Sequence, residues 1–338
     1  MSAMKPKERF MRALYGERVD RIPVGNPTSV ATVESMEACG AFFPDVHLDP
    51  EKMAALAATG YEILGFDTIA PYFSVQQEAA AFGLKMRWGE IDSMPDVLEN
   101  PYGDPDELII PKDFLDRPPI TAVLGALKIL KKEYGNQVCL VGKVMGPWTL
   151  SYHLHGVQNF LINTILEPEK VRRFLNKLKE VSLMFAKAQF AAGADVVTLA
   201  DHATGDLVSG KCYKDFLLPV HKEINQRLNA PTILHICGNT TDRLDYIAQA
   251  GFKCFHFDSK VKPQDAYEII NERIRLAGSI NNPTTLYKGS PEDVRREVFL
   301  NCEAGIDIIA PECAIPLRTP NENLKAIVAA VEEYCSSS

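Results

Sequence analysis

The chain has 338 residues, 46% of them hydrophobic, with a formal net charge of −8. That is ample apolar material for a large core, and an acidic balance without a basic block argues against nucleic acid or an anionic membrane as partner. No signal-peptide pattern or 18-residue apolar span occurs, so a soluble, unexported, cytoplasmic protein is expected, whose eight cysteines are too sparse for a disulfide scaffold and are read as reduced thiols.

Short β-rich runs alternate with longer segments of helical period. The first two runs are "RIPVG" from Arg21 and "FDTIAPY" from Phe66. From about Phe73 to Pro119 the rhythm breaks. Six prolines and mixed charges there predict a long insertion after the second strand, of the kind that forms lids or partner surfaces. "VCLVGKVMG" from Val138 and "ADVVTLAD" from Ala194 are the third and fourth strands. Between them, Val171, Phe174, Leu175, Leu178 and Val181 form a 3.6-period stripe on a helix predicted from Glu169 to about Gly193.

The second half supplies "TILHICG" from Thr232, "KCFHFDS" from Lys253, "IRLAGSIN" from Ile274 and "IDIIAPEC" from Ile306. Ser290, then Pro291, Glu292 and Asp293, make a good helix start. A last helix is expected from Asn321 to Tyr334, with Ser336 to Ser338 as a frayed tail. Eight strands, each followed by a helix, predict an α/β fold, a closed (β/α)8 TIM barrel. The whole of residues 1–338 is expected to form a single domain, with the insertion at about 73–119.

In such a barrel the active-site residues come from the C-terminal strand ends. In order these are Asn26, Tyr72, Met145, Asp201 with His202, His235 with Cys237, Asp258, Asn281, and Glu312 with Cys313. Residues two apart on a strand share a face, so His235 and Cys237 point the same way. If that way is inward, Cys313 reaches the same centre across the mouth. Two thiolates and an imidazole match zinc with an open fourth position, as in catalytic sites, and thiolates disfavour magnesium or calcium.

Other candidates are weaker. His153 and His155 lie on a segment of helical pattern, where residues two apart diverge. His256 alternates with apolar neighbours like a core histidine, while Asp258 is a candidate support for His235 or a substrate contact. "DVHLDP" begins like a corrinoid-binding Asp-x-His-x-x-Gly but has Pro50 in place of the glycine. Neither a Walker loop nor G-x-G-x-x-G is present.

The stretches "DRIPV", "VMGPWTL", "HICG", "LAGSINNP" and "APECAIP" together resemble the uroporphyrinogen decarboxylase superfamily over nearly the whole chain. Within it, His-x-Cys with a distant Cys resembles the zinc signature of the methylcobalamin:coenzyme M methyltransferases of methanogens, here His235, Cys237 and Cys313. The decarboxylases themselves carry an arginine-containing "MRQAGR" stretch after the first strand. This chain has "VGNPTSVATVESMEACG" there, without an arginine, so decarboxylation of a polycarboxylate is disfavoured.

The resemblance implies transfer of a methyl group from a methylated corrinoid to the thiol of coenzyme M, whose sulfur would take the open zinc position. Lacking its own cobamide motif, the chain would receive the methyl group from a separate corrinoid protein, with the insertion as a candidate docking surface. The upstream methyl source would be methylamines or methanol, and the segment from Glu34 to Ala57 looks closer to the methylamine-pathway type. Arg243, in the first turn of a helix start after Cys237, is a candidate for the coenzyme M sulfonate. Asp201, His202 and Asn281 are candidate substrate contacts, and Glu312 is a candidate fourth zinc ligand. The alternatives are a same-fold enzyme with another thiol acceptor such as homocysteine, a decarboxylase, or a corrinoid carrier without catalysis.

Overall fold

The structure is a computed structural model that describes residues 3–337. Seven parallel strands form one curved sheet in the order β1 (Thr68–Ile69), β4 (Cys139–Met145), β5 (Val196–Ala200), β6 (Thr232–Ile236), β7 (Cys254–Phe257), β8 (Arg275–Ile280) and β9 (Ile308–Pro311). β2 (Met86–Arg87) and β3 (Asp96–Val97) make a separate antiparallel hairpin.

The eighth stave is the segment around Val24, and it differs from the expected strand. It is reduced to a parallel bridge with Ile309. The Gly25 amide donates to the Ile309 carbonyl (3.1 Å), the Ile309 amide to the Pro23 carbonyl (3.0 Å), and the Asp67 amide to the Val24 carbonyl (2.6 Å). The segment therefore bonds to both edges of the sheet and closes the ring. Pro23 and Pro27 have no N–H to give a ladder, which limits the pairing to the residues between them.

Inside the ring, Cys139, Val141, Val196, Ile233, Cys254, Ala277 and Ile308 form a cluster of their own with Phe10, Ala13 and Leu14. The last three belong to the helix Pro6–Leu14, which plugs the N-terminal end. Burying Phe10 and Leu14 contributes about 1.5–3 kcal/mol each. Side chains alternate along a strand, so the inward face continues upward from Val141 to Lys143 and Met145. In the same way it runs from Val196 to Thr198 and Ala200, and from Ile233 to His235 and Cys237. This register carries the site residues.

Every stave is followed by helix on the outside. Pro168–Ala192 buries the predicted stripe, and Pro291–Glu303 starts with the full Ser290/Asp293 capping box. The last helix runs past Tyr334 to Ser337. Instead of fraying, Ser336 and Ser337 donate to the carbonyls of Glu332 (2.7 Å) and Glu333 (2.9 Å), while Ser338 lies outside the described residues.

The stretch from Phe73 holds the short helix Gln77–Ala81, the hairpin and a turn at Phe114–Asp116, with Phe73, Leu84, Leu108 and Phe114 buried in the main core. Its two final prolines, Pro118 and Pro119, start the outer helix Pro118–Tyr134, where a missing N–H costs nothing. Among the described residues no helix is long and apolar enough to cross a membrane.

Candidate metal centre

His235 is the last but one residue of β6, Cys237 comes directly after the strand, and Cys313 follows β9. Their donor atoms all lie within 4.8 Å of one another, the one such group of three or more among the described residues. His235 Nε2 is 2.9 Å from Cys237 Sγ, which is 3.1 Å from Cys313 Sγ. Nδ1 of His235 bonds the His256 carbonyl (3.2 Å), so this nitrogen carries the proton and Nε2 turns its lone pair to the sulfurs. The His256 ring packs 4.5 Å from that of His235 and its Nε2 bonds the Pro311 carbonyl (2.7 Å). Burial pushes the His256 imidazole down to about 3, so it stays neutral beside the ligands.

The two thiols are too far apart for a disulfide, and all eight cysteines are free. A hydrogen bond joins them. The hydrogen bond from Cys237 pulls the Cys313 thiol well below its usual range, helped by His235 and His202, and the same bond and burial push Cys237 up. The Asn26 amide supports this arm by donating to the Cys313 carbonyl (3.0 Å). After Cys237 the chain turns at Gly238, φ +78°, where a Cβ would lie 2.1 Å from Thr204 Oγ1.

The three donors face a small cavity, bounded also by Lys143, Met145, Asp201 and His202. Asp201 is buried and accepts from the Thr149 amide (2.8 Å) and from His221 Nε2 (3.0 Å), so its carboxylate anchors the helix Pro147–His155 to the cavity wall. Its approach requires Gly146, whose added Cβ would lie 2.2 Å from the Asp201 carboxyl carbon. His202 is exposed at the rim, and crowding by protein on its other sides lowers its imidazole. Both residues line the cavity.

The remaining candidates are engaged elsewhere. Asn281 caps the turn Asn282–Leu286 through the Thr284 amide (2.7 Å) and donates to Ser259 Oγ (2.8 Å). Glu312 accepts from the amides of Asn282 (2.8 Å) and Ser259 (3.1 Å) and from the Ser259 hydroxyl, and it is not in the donor cluster. Both residues lie beyond β9, and Glu312 turns to the loops at Ser259 and Asn282 while Cys313 turns to Cys237. Asp258 accepts from the Gly238 amide (2.8 Å), which braces the turn after Cys237 rather than His235.

Arg243 is fully buried, with its guanidinium donating to Asp242 (2.8 Å), the Val208 carbonyl (2.6 Å) and the Ala203 carbonyl. It is not among the groups lining the cavity, so the sulfonate expectation does not fit it. The residues Asn239 to Arg243 form a short 3-10 turn, Thr241–Arg243, leading to the four-residue helix Leu244–Ile247.

Sequence reading passed over Lys143. It sits in the middle of β4, 1% exposed, and lines the cavity. The available signal was a lone charge in an apolar strand, in phase with Val141 below and Met145 above.

A family model described as uroporphyrinogen decarboxylase (URO-D) matches residues 5–334. The chain belongs to this family. Among URO-D relatives, a methylated-thiol–coenzyme M methyltransferase of Methanosarcina mazei is 34% identical over 337 residues, covering 98% of this chain and 90% of the relative. A methylcobamide:CoM methyltransferase MtaA of Methanosarcina barkeri is 35% identical, with 99% of each chain covered. A solved methyltransferase from Methanosarcina mazei superposes with a TM-score of 0.94 at 35% identity, covering 98% of this chain and 99% of that one.

Proposed function

We propose that the protein is a methyltransferase that moves a methyl group from a methylated corrinoid to the thiol of coenzyme M, with zinc held by His235, Cys237 and Cys313. The observation that carries this reading is the convergence of one imidazole Nε2 and two thiols at the cavity in the barrel mouth. The donor set suits zinc: two soft sulfurs, an imidazole whose tautomer is fixed by the His256 carbonyl, and one position left for substrate. Both methyltransferase relatives carry coenzyme M in their names as one reactant, which supports it as acceptor, and the second supports a methylated cobamide as donor.

Zinc bound there supplies a Lewis acid that lowers the pKa of an incoming thiol, which is otherwise mostly protonated at neutral pH. The protein's own residues hold and orient. His256 fixes the His235 ring, Asn26 fixes the Cys313 loop, and Asp201 holds the helix that walls the cavity. In the transfer, the thiolate sulfur forms a bond to the methyl carbon, the carbon–cobalt bond breaks, and its electron pair stays on cobalt. The thiol proton leaves to solvent. No side chain is required as a base in that step.

The donor is proposed to arrive on a separate corrinoid protein, since no Asp-x-His-x-x-Gly is present. The decisive experiment adds methylcobalamin and coenzyme M to the purified protein and follows the corrinoid spectrum. Demethylation, about one zinc per chain, and loss of both in Cys237→Ala and Cys313→Ala are expected. Activity with homocysteine in place of coenzyme M would overturn the acceptor.

A further inference from the structure

Lys143 is a buried cation without an ion-pair partner in contact. Among the described residues its ammonium makes neither a hydrogen bond nor an ion pair, and its one close contact is the Tyr72 ring, 4.6 Å from Nζ to the centroid. The anionic groups that act on it from beyond contact are the thiols of Cys313 and Cys237 and the carboxylate of Glu78. Its oxygens are taken by the Tyr72 hydroxyl and by the Met145 amide (2.8 Å). Burying a charge in this way is costly unless something supplies the opposite charge.

The two thiols of the donor set do not provide it once a metal is bound, because two thiolates and a dication sum to zero. Of the side chains lining the cavity, Lys143 is the one lysine or arginine, and His202 is held neutral. Arg243, the other basic group near the mouth, is spent on Asp242 and on carbonyls of the loop after β5. An anion entering this cavity therefore meets a single fixed positive charge, braced by an aromatic face.

We propose that Lys143 is the specificity-determining cation of the cavity, holding the anionic end of a short thiol whose sulfur lies at His235, Cys237 and Cys313. This rests on the methyl-transfer reading above and deepens it. The substrate class is a small thiol with a strong anion a few bonds from sulfur, as in 2-mercaptoethanesulfonate. A neutral thiol of the same length would bind to the donor set without a second anion for Lys143 to hold. Tyr72 and Glu78 are positioning residues: one carries the ammonium and the other locks the tyrosine.

The test is calorimetric binding to the zinc-loaded protein, with 2-mercaptoethanesulfonate against neutral 2-mercaptoethanol. The wild type should prefer the anionic thiol by at least about 10-fold. Lys143→Met and Lys143→Gln should each weaken the anionic thiol by about 10- to 100-fold while holding 2-mercaptoethanol within about twofold. An equal loss for both thiols, or no loss for either, in both variants would overturn the proposal. Demethylation of methylcobalamin by the wild type is measured separately. Its absence with every thiol would sink the methyl-transfer reading and leave the binding preference to be judged by itself.

Discussion

The two ends of the barrel treat charge in opposite ways. At the N-terminal end Arg9 donates through Nε to Asp20 (2.6 Å) and through Nη1 to Asp67 (2.7 Å). Asp67 also takes Arg21 Nη1 (2.9 Å) and the Val24 amide (2.8 Å). The guanidinium of Arg9 holds the Asp20 carboxyl far below the usual carboxylate range. Each charge there has its partner. In the barrel's upper interior, Lys143 has none in contact, the two thiols bond only to each other and to His235, and the buried His256 Nδ1 is unbonded. The closed network joins the plugging helix to the first two staves, whereas the open one is poised for something that the protein does not itself supply. A fold can keep such an unsatisfied interior only if stability is secured elsewhere.

Substitutions at the two ends should separate these roles. The largest effect belongs to the donors: Cys237→Ala or Cys313→Ala should reduce methylcobalamin demethylation by more than ~100-fold, beyond the cost of losing a supporting contact. Zinc analysis should show the metal lost with little change in the unfolding midpoint. At the closed end, Asp67→Asn removes the buried carboxylate shared by Arg21 and Arg9, of which Arg9 keeps Asp20, and should cost roughly 3 kcal/mol in denaturant unfolding. An affinity for coenzyme M unchanged in the folded variant would confirm that this end is structural.

Lys143→Met should do the reverse, losing the anionic thiol yet gaining stability. Burial pulls the Lys143 ammonium from 10.5 down to about 8. Below pH 8 the charge is present in both folded and unfolded chains, and its burial costs on the order of 3 kcal/mol. Between pH 8 and 10.5 the unfolded chain binds more protons, so wild-type stability rises relative to Lys143→Met. The gap between the two in chemical denaturation should close across that window. A gap independent of pH would mean that the ammonium is not the source of the cost. The smallest effect is expected from Arg243→Ala, which should lose about 2 kcal/mol by leaving loop carbonyls unbonded. Its affinity for 2-mercaptoethanesulfonate should stay within twofold, and a large loss would return the sulfonate to that residue.

How much was legible in the sequence follows from the range of the interactions involved. Strand alternation and helix period are local, and they carried seven of the strands, the helix Pro168–Ala192 and the capping box at Ser290. The spacing of His235 and Cys237 fixed a shared face by the same local rule. The first stave shrank to a bridge because two prolines remove its donors, a fact present in the sequence but decisive only once its neighbours are known. Glu312, Asn281 and Arg243 stood at plausible positions, yet each found partners in the surrounding loops, and nothing local reveals which loop amides and carbonyls will lie close enough to bond.

By itself, then, the sequence determined the αβ alternation, the inward pair on β6 and the chemistry of the three donors, because residue type and period are properties of short segments. Only the tertiary structure decided that Cys313 meets that pair across 76 residues at 3.1 Å, since ring closure sets which strand ends face each other. It also decided that the lone lysine of β4 stands unpaired in the same cavity. Whether a charge is satisfied depends on every neighbour that the fold brings to it, and sequence spacing does not encode those neighbours.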